Sequence, residues 1–283
     1  MTSNPFPSVT VLGLGVLGAQ IALQAAAHGV EVTSYDIDDA ALQVGRGRLD
    51  AFAGAAAQSV EDPDAYRAAP DRIRLTADLD DAVRHADLVI EAVPEQLELK
   101  RDVWARVGAA APAATVFATN SSSLLPSAIA DATGRPERFL ALHFANHIWV
   151  QNTAEIMGSP ATDTAVADRV QEFAVAIGMV PIRLHREQPG YVLNSLLMPF
   201  LAAAGELLVK GVADPGTIDI TWRKATGAPA GPFEIYDTVG LRTAYAIASA
   251  DPRTAAWAGY LKEHYLDKGL FGRESGQGFY QYS

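Results

Sequence analysis

The chain has 283 residues, of which 49% are hydrophobic and 19% charged, a balance that supports a full globular core and a length that suits one large domain plus a smaller one. Its net charge of −11 argues against an extended basic surface for nucleic acid, and the lack of cysteine excludes disulfides, thiolate metal sites and cysteine nucleophiles. Residues 1–8 carry neither a basic region nor an apolar core, so no secretory signal is expected and the cytoplasm is the default location.

The first organised stretch runs from Val9 to Asp36: an apolar strand, a glycine turn, a helix, and a second strand ending in a carboxylate. Gly13 permits the tight turn, Gly15 lets the backbone approach a pyrophosphate, and Gly18 lets the helix lie close against the strand. The helix opens at Val16 and Leu17, where its N–H groups and dipole favour a phosphate. A glycine triplet alone is also a common structural bend. Here the strand before it, the helix after it and the acid beyond it agree on a dinucleotide site. Asp36 stands where a ribose-binding acid is expected, and its charge would repel a 2′-phosphate. No Arg or Lys follows before Arg46, so NAD is preferred over NADP.

After Asp36 an Ala-rich helix is expected over Asp38–Gln58, then a polar turn at Glu61–Asp64 where Pro63 breaks the pattern. Ile73–Leu75 reads as a short strand, Asp78 as the cap of a helix through His85, and Asp87–Val93 as a buried strand. A helix over Gln96–Ala110 and strands at Val116–Thr119, Phe139–Phe144 and Thr153–Met157 follow. A helix over Thr164–Ile177 and a strand at Val180–Leu184 complete the alternation. The pattern predicts an α/β domain over residues 1–186, a doubly wound, mostly parallel Rossmann-type sheet. From residue 187 to 283 the signal is helical throughout, predicting an all-helical C-terminal domain. Its first helix, Tyr191–Lys210, is long and apolar with a kink expected at Pro199. Asn194, Glu206 and Lys210 within it favour a buried helix over a membrane span. Asp214-Pro215 opens the next helix, and Thr238–Ala248 and Thr254–Leu266 are the last two.

In doubly wound sheets ligands sit beyond the carboxyl ends of the strands, which directs attention to Asn120-Ser-Ser-Ser123, to His143-Phe-Ala-Asn146 and to Glu155. A carbonyl that receives hydride needs a proton, and histidine is the usual donor at neutral pH. His143 is assigned that role. Glu155 is assigned to its other ring nitrogen, and Ser122 to the reacting oxygen. Ser121 and Ser123 are expected only to cap the next helix, and Glu91, mid-strand, only to serve structure. No histidine or carboxylate cluster suggests a metal.

These stretches resemble the L-3-hydroxyacyl-CoA dehydrogenase family. The likeness is carried by Gly13-x-Gly15-x-x-Gly18, Asp87-Leu-Val-Ile-Glu-Ala-Val-Pro-Glu95, Asn120-Ser-Ser-Ser-Leu124, His143-Phe-x-Asn146, Pro189-Gly-Tyr-Val-Leu-Asn194 and Gly276-Gln-Gly-Phe-Tyr280, in the family order. It implies Asn194 as a substrate-positioning residue and Glu95, Lys100 and Asn146 beside the nicotinamide ribose and carboxamide. It also implies a homodimer formed through the C-terminal domain, and an NADH-dependent interconversion of 3-keto and (S)-3-hydroxyacyl compounds. Within the family the run His143–Glu155 is similar to the diketoreductase-like enzymes of β-keto and β,δ-diketo esters. His147 and Trp149 depart from the typical acyl-CoA pattern. Ala51–Ala69 carries Arg67 against Glu61, Asp62 and Asp64, few cations for the phosphates of CoA, for which Arg46 and Arg48 are the nearest substitutes. A gulonate-type sugar-acid dehydrogenase would need a cationic anchor that is not evident near His143. A catalytically idle NAD-binding protein need not keep Ser122, His143, Glu155 and Asn194 together.

Overall fold

Strands and helices alternate from Ser8 to Arg183 in the computed structural model, which describes residues 4–282. Residues 1–3, part of the stretch read for a leader, lie outside the described residues. The chain divides into two compact units, the first ending at Val192 and the second running from Leu193.

In the first unit, β1 (Ser8–Leu12), α1 (Val16–Ala27) and β2 (Glu31–Tyr35) are followed by α2 (Asp39–Ala56), α3 (Pro63–Arg72) and β3 (Ile73–Thr76). Next come α4 (Leu79–Val83), β4 (Leu88–Glu91), α5 (Leu97–Ala110), β5 (Val116–Thr119), β6 (Phe139–Phe144), β7 (Thr153–Gly158), α6 (Thr164–Ala176) and β8 (Val180–Arg183). The strands form one eight-stranded sheet in the order β3-β2-β1-β4-β5-β6-β7-β8, parallel everywhere except between β6 and β7. The chain reverses its direction of growth across the sheet between β1 and β4, which leaves a crevice at their carboxyl ends.

Both faces of the sheet are covered, which explains the unbroken apolar strands. Val9 and Val11 of β1 join Leu88 and Ile90 of β4 and Val116 and Ala118 of β5 in one core, shared with α1, α2 and α6. The alternate side chains Leu12, Val89 and Phe117 enter a second core with Leu79, Trp104 and Val107. Trp104 lies between Phe117 and Phe139, with ring centroids 5.3 and 5.2 Å away. One helix of this unit departs from the sequence reading. Pro63 does not end a turn but opens α3, where its missing N–H costs nothing, and Asp62 caps it by accepting from the Ala65 amide at 3.1 Å.

The second unit is helical: α7 (Tyr191–Val209), whose first two residues still belong to the first unit, is followed by α8 (Pro215–Thr226), α9 (Pro232–Val239), α10 (Leu241–Ala250) and α11 (Ala255–His264). Asp214 caps α8 as expected, whereas α9 is a separate helix that stops at Gly240, whose φ of 91° favours glycine. The core gathers Leu201, Phe233, Tyr236, Leu241, Trp257 and Leu261. Asp237 fastens the C-terminal tail by accepting from the Phe279 and Tyr280 amides and the Tyr282 hydroxyl, each at 2.9 Å.

The expectation that α7 is a buried helix fails. By length and composition it could cross a membrane, yet only 17% of its most apolar window is buried, and Leu196 is 70% exposed. Its periodicity marks an apolar face without saying what covers that face. Pro199 lies within α7, which continues past it to Val209.

Candidate active site

Three of the glycines build the nucleotide end of the site. Gly13 leaves β1 with φ of 91°, a region that side chains disfavour, and a Cβ added at Gly18 would overlap the Gly13 carbonyl. Gly15 precedes α1 with open space where a side chain would stand, and no side chain caps the helix, so Val16 and Leu17 begin it with donors suited to phosphate. Asp36, one residue beyond β2, accepts from the Leu14 amide at 2.8 Å and from its neighbour Ile37 at 2.8 Å. The carboxylate is thereby fixed against the glycine loop, with lone pairs to spare for a ribose hydroxyl. These features fit a dinucleotide.

At the far end of the crevice, hydrogen bonding brings Ser122, His143 and Glu155 together. β6 and β7 pair with His143 directly opposite Glu155, so both side chains stand on one face of the sheet. His143 Nδ1 lies 3.0 Å from Glu155 Oε2, and its Nε2 lies 3.2 Å from the Ser122 hydroxyl, just past the end of β5. The side chains of His143 and Glu155 are 6% and 5% exposed. Glu155 Oε1 accepts from the Val192 amide at 2.9 Å, so both carboxylate oxygens are committed. Asn120 secures the loop to β6 by accepting from the Phe144 amide at 3.0 Å.

Glu95 organises the serine loop. Its Oε1 receives the Ser121 and Ser123 hydroxyls at 2.5 and 2.8 Å and the Ser122 and Ser123 amides at 3.0 and 2.8 Å. Ser121 and Ser123 therefore hold a carboxylate rather than cap an α-helix. Burial opposes ionisation of Glu95, but the bonds from Ser121 and Ser123 and the charge of Lys100 outweigh it and bring its carboxyl down to about 2. Lys100 Nζ is 3.3 Å from Glu95 and 2.5 Å from Glu91, and both Lys100 and Glu91 are fully enclosed. Glu91 also accepts from the Thr119 hydroxyl at 2.7 Å and the Val93 amide at 2.9 Å.

Asn146 follows β6, and its Oδ1 accepts from Gln20 Nε2 at 2.6 Å. Gln20, fully buried on α1, also accepts from the His147 amide at 2.8 Å, which ties the nucleotide helix to the loop after β6. His147 itself has φ of 58°, and its ring meets Trp149 edge-on at 5.8 Å. Asn194 belongs to the second unit, half-buried on the first turn of α7. Among the described residues, no group of three His, Cys, Asp or Glu side chains is placed to hold a metal ion.

Glu91 was read only as structural, without its partner Lys100, and Gln20 and Tyr191 were given no role. A lone acid in the apolar run of β4 and a lone amide on the buried face of α1 were the available signals for the first two, since such groups must find partners. Tyr191 stands in the run 189–194 that carries the resemblance, but that run pointed only to Asn194. The Tyr191 ring nonetheless stacks on the His143 imidazole, with centroids 4.3 Å apart and planes 10° apart.

The chain is similar to known proteins over almost its whole length. Residues 8–188 match the family model of the 3-hydroxyacyl-CoA dehydrogenase NAD binding domain, and residues 190–282 match that of the 3-hydroxyacyl-CoA dehydrogenase C-terminal domain. A probable 3-hydroxybutyryl-CoA dehydrogenase of Deinococcus radiodurans is 33% identical over 96% of this chain and 99% of its own length. The mitochondrial hydroxyacyl-coenzyme A dehydrogenase of Homo sapiens is 32% identical, covering 97% of this chain and 90% of the human protein. Among solved structures, a diketoreductase described as a dual catalyst of dicarbonyl compounds superposes with a TM-score of 0.95 at 57% identity, covering both chains completely.

Proposed function

We propose, for a chain that belongs to the 3-hydroxyacyl-CoA dehydrogenase family and is therefore an NAD-dependent oxidoreductase, that it interconverts a 3-keto ester and its (S)-3-hydroxy form. The observation that carries this reading is the chain of contacts from Ser122 through His143 to Glu155, at 3.2 and 3.0 Å. NADH, when bound, supplies the hydride. His143 holds the accompanying proton on Nε2 and delivers it to the substrate oxygen, while Glu155 keeps the Nδ1 proton in place and stabilises the imidazolium. Ser122 donates to the same oxygen as negative charge develops there. Burial of the imidazole and carboxylate keeps water from competing for either bond. Glu95 and Asn146 contribute at the nicotinamide end, Lys100 acts there through Glu95, and Asn194 orients the substrate.

The substrate class follows from charge. The phosphates of CoA need cations, and each arginine of α2 and α3 already has a partner. Arg46 donates to the Pro70 carbonyl at 2.6 Å, Arg48 to the Leu14 carbonyl at 2.9 Å, Arg67 to Asp64 at 2.8 Å and Arg72 to the Ala65 carbonyl at 3.1 Å. A simple β-keto or β,δ-diketo ester makes no such demand, and the neighbour with 57% identity is a diketoreductase of dicarbonyl compounds. In steady-state assays at fixed NADH, ethyl acetoacetate and a β,δ-diketo ester are expected to give kcat/KM at least equal to acetoacetyl-CoA, with no turnover of gulonate. Turnover of the CoA thioester alone would sink the ester assignment.

The C-terminal unit, which runs from Leu193 rather than from the residue 187 expected from the sequence, is assigned to homodimerisation. It exposes Leu196, Leu207, Val209, Val212 and Ile247, apolar side chains of the kind that partner subunits cover. A cavity of about 740 Å³ between α7, α10 and α11 is lined by Leu201, Val209, Ile247 and Trp257. A molar mass near twice 30.0 kDa is expected by light scattering, and a strictly monomeric enzyme would exclude the assignment.

A further inference from the structure

Tyr191 combines features that a merely structural aromatic does not need. It is fully buried, yet its backbone sits at φ of 55°, a region that a bulky side chain rarely adopts. The Pro189-Gly190 turn delivers it there, with Gly190 at φ of 79° and the Tyr191 amide donating to the Gln188 carbonyl at 3.0 Å. Such conformations persist where the surroundings over-determine them, and they concentrate at functional sites. The result is that one face of the phenol ring lies flat on the His143 imidazole, while its hydroxyl donates to the Ser121 carbonyl at 2.6 Å. The next residue, Val192, donates its amide to Glu155. Two adjacent residues therefore contact two parts of the proposed proton path, His143 and Glu155, and the carbonyl just before the third, Ser122.

We propose that Tyr191 is a positioning residue for the proton transfer, an inference that rests on His143 being the donor. Its ring sets the plane of the imidazole, and its hydroxyl locks that plane to the loop bearing Ser122. The bonds at Nδ1 and Nε2 fix the two ends of the imidazole but leave the ring free to rock about the line joining them. A parallel ring at 4.3 Å removes that freedom. The hydroxyl then sets the distance between the ring stack and the serine, because Ser121 and Ser122 share a peptide unit. Burial first, then the charges of Glu95, Glu155 and Glu91, push the ionisation of the phenol well above the ordinary range, so it remains a donor throughout assay conditions.

The test is a double-mutant cycle on the full-length enzyme with NADH and a β-keto ester. Tyr191→Phe keeps the stack and loses the tether, and is expected to lower kcat roughly three- to tenfold, the effect of one neutral hydrogen bond. Tyr191→Leu loses both and is expected to lower kcat by roughly 30-fold or more, since small misplacements of a reacting group cost orders of magnitude. In both variants KM for NADH stays within about twofold, and the solvent deuterium isotope effect on kcat rises as proton delivery becomes limiting. In a His143→Ala background the Tyr191→Leu penalty is expected to shrink below about twofold, because the residue acts through the imidazole.

An equal penalty in both backgrounds, or no penalty from Tyr191→Phe with the isotope effect unchanged, overturns the proposal. Should Tyr191→Leu fail to fold, Tyr191→Phe decides alone on the same criteria. Full activity of His143→Ala by itself would instead overturn the assignment of the proton donor, so the two failures are distinguishable.

Discussion

Replacing His143 with alanine is expected to lower kcat for ester reduction by roughly 10²- to 10⁴-fold, the usual weight of a positioned general acid. The affinity for NADH is expected to change little. The contacts that fit a dinucleotide, the Gly13–Gly18 turn and Asp36, lie at the carboxyl ends of β1 and β2, whereas His143 is at the end of β6. Glu155→Gln tests the other half of the pair. An amide keeps the shape but not the charge. It can present its N–H₂ to Nδ1, which reverses the tautomer, or its oxygen, which leaves an imidazolium without a counter-charge. Either outcome lowers kcat by roughly 10²-fold or more. The change also disturbs the Val192 amide, which now finds a carboxylate oxygen at 2.9 Å. Steady-state kcat, alongside NADH titration followed by fluorescence, measures both quantities. Lost NADH binding with turnover intact at saturation would contradict the assignment.

Much of the fold was legible because its signals are local. The glycine turn, the strand at Phe139–Phe144 and the cap at Asp214 each depend on residues within a few positions of one another. The pairing of His143 with Glu155 was assigned from the chemistry each residue offers, whereas the antiparallel register of β6 and β7 that sets them opposite each other was not read from the sequence. What the sequence hid is tertiary. A proline that opens a helix and one that ends a turn are the same letter, so α3 was missed, and so was α9, which opens on Pro232. The apolar stripe of α7 reads alike whether a core or a second subunit covers it. Glu91 looked structural because its partner Lys100 is nine residues on, across a turn and on a helix that folds back over the strand. Tyr191 stood in a quoted motif without a role, because its contact with His143 lies in a ring plane.

Glu91→Gln is expected to destabilise the protein by about 3–5 kcal/mol, the cost of leaving a buried charge without its counter-charge. Lys100 is 1% exposed, and its ammonium meets Glu91, the Val93 carbonyl and Glu95. Neutralising Glu91 leaves that ammonium with the Val93 carbonyl and, as its remaining counter-charge, the more distant Glu95 carboxylate. At about 2–4 °C per kcal/mol for a domain of this size, the thermal midpoint should fall by about 6–20 °C. The double change Glu91→Met with Lys100→Met removes both charges and fills similar volume, so most of the stability should return. Activity should not return with it. Without Lys100, Glu95 loses a cation that helps hold its carboxyl near 2, and the loop that presents Ser122 loses the anchor behind its four hydrogen bonds to Glu95. Urea midpoints together with kcat for the single and double variants separate the two effects. A Glu91→Gln enzyme within about 1 kcal/mol of the parent would show that the ion pair contributes little, since surface-like pairs are worth no more than that. A stable double variant with full kcat would show that the pair serves the core alone and does not reach the serine loop.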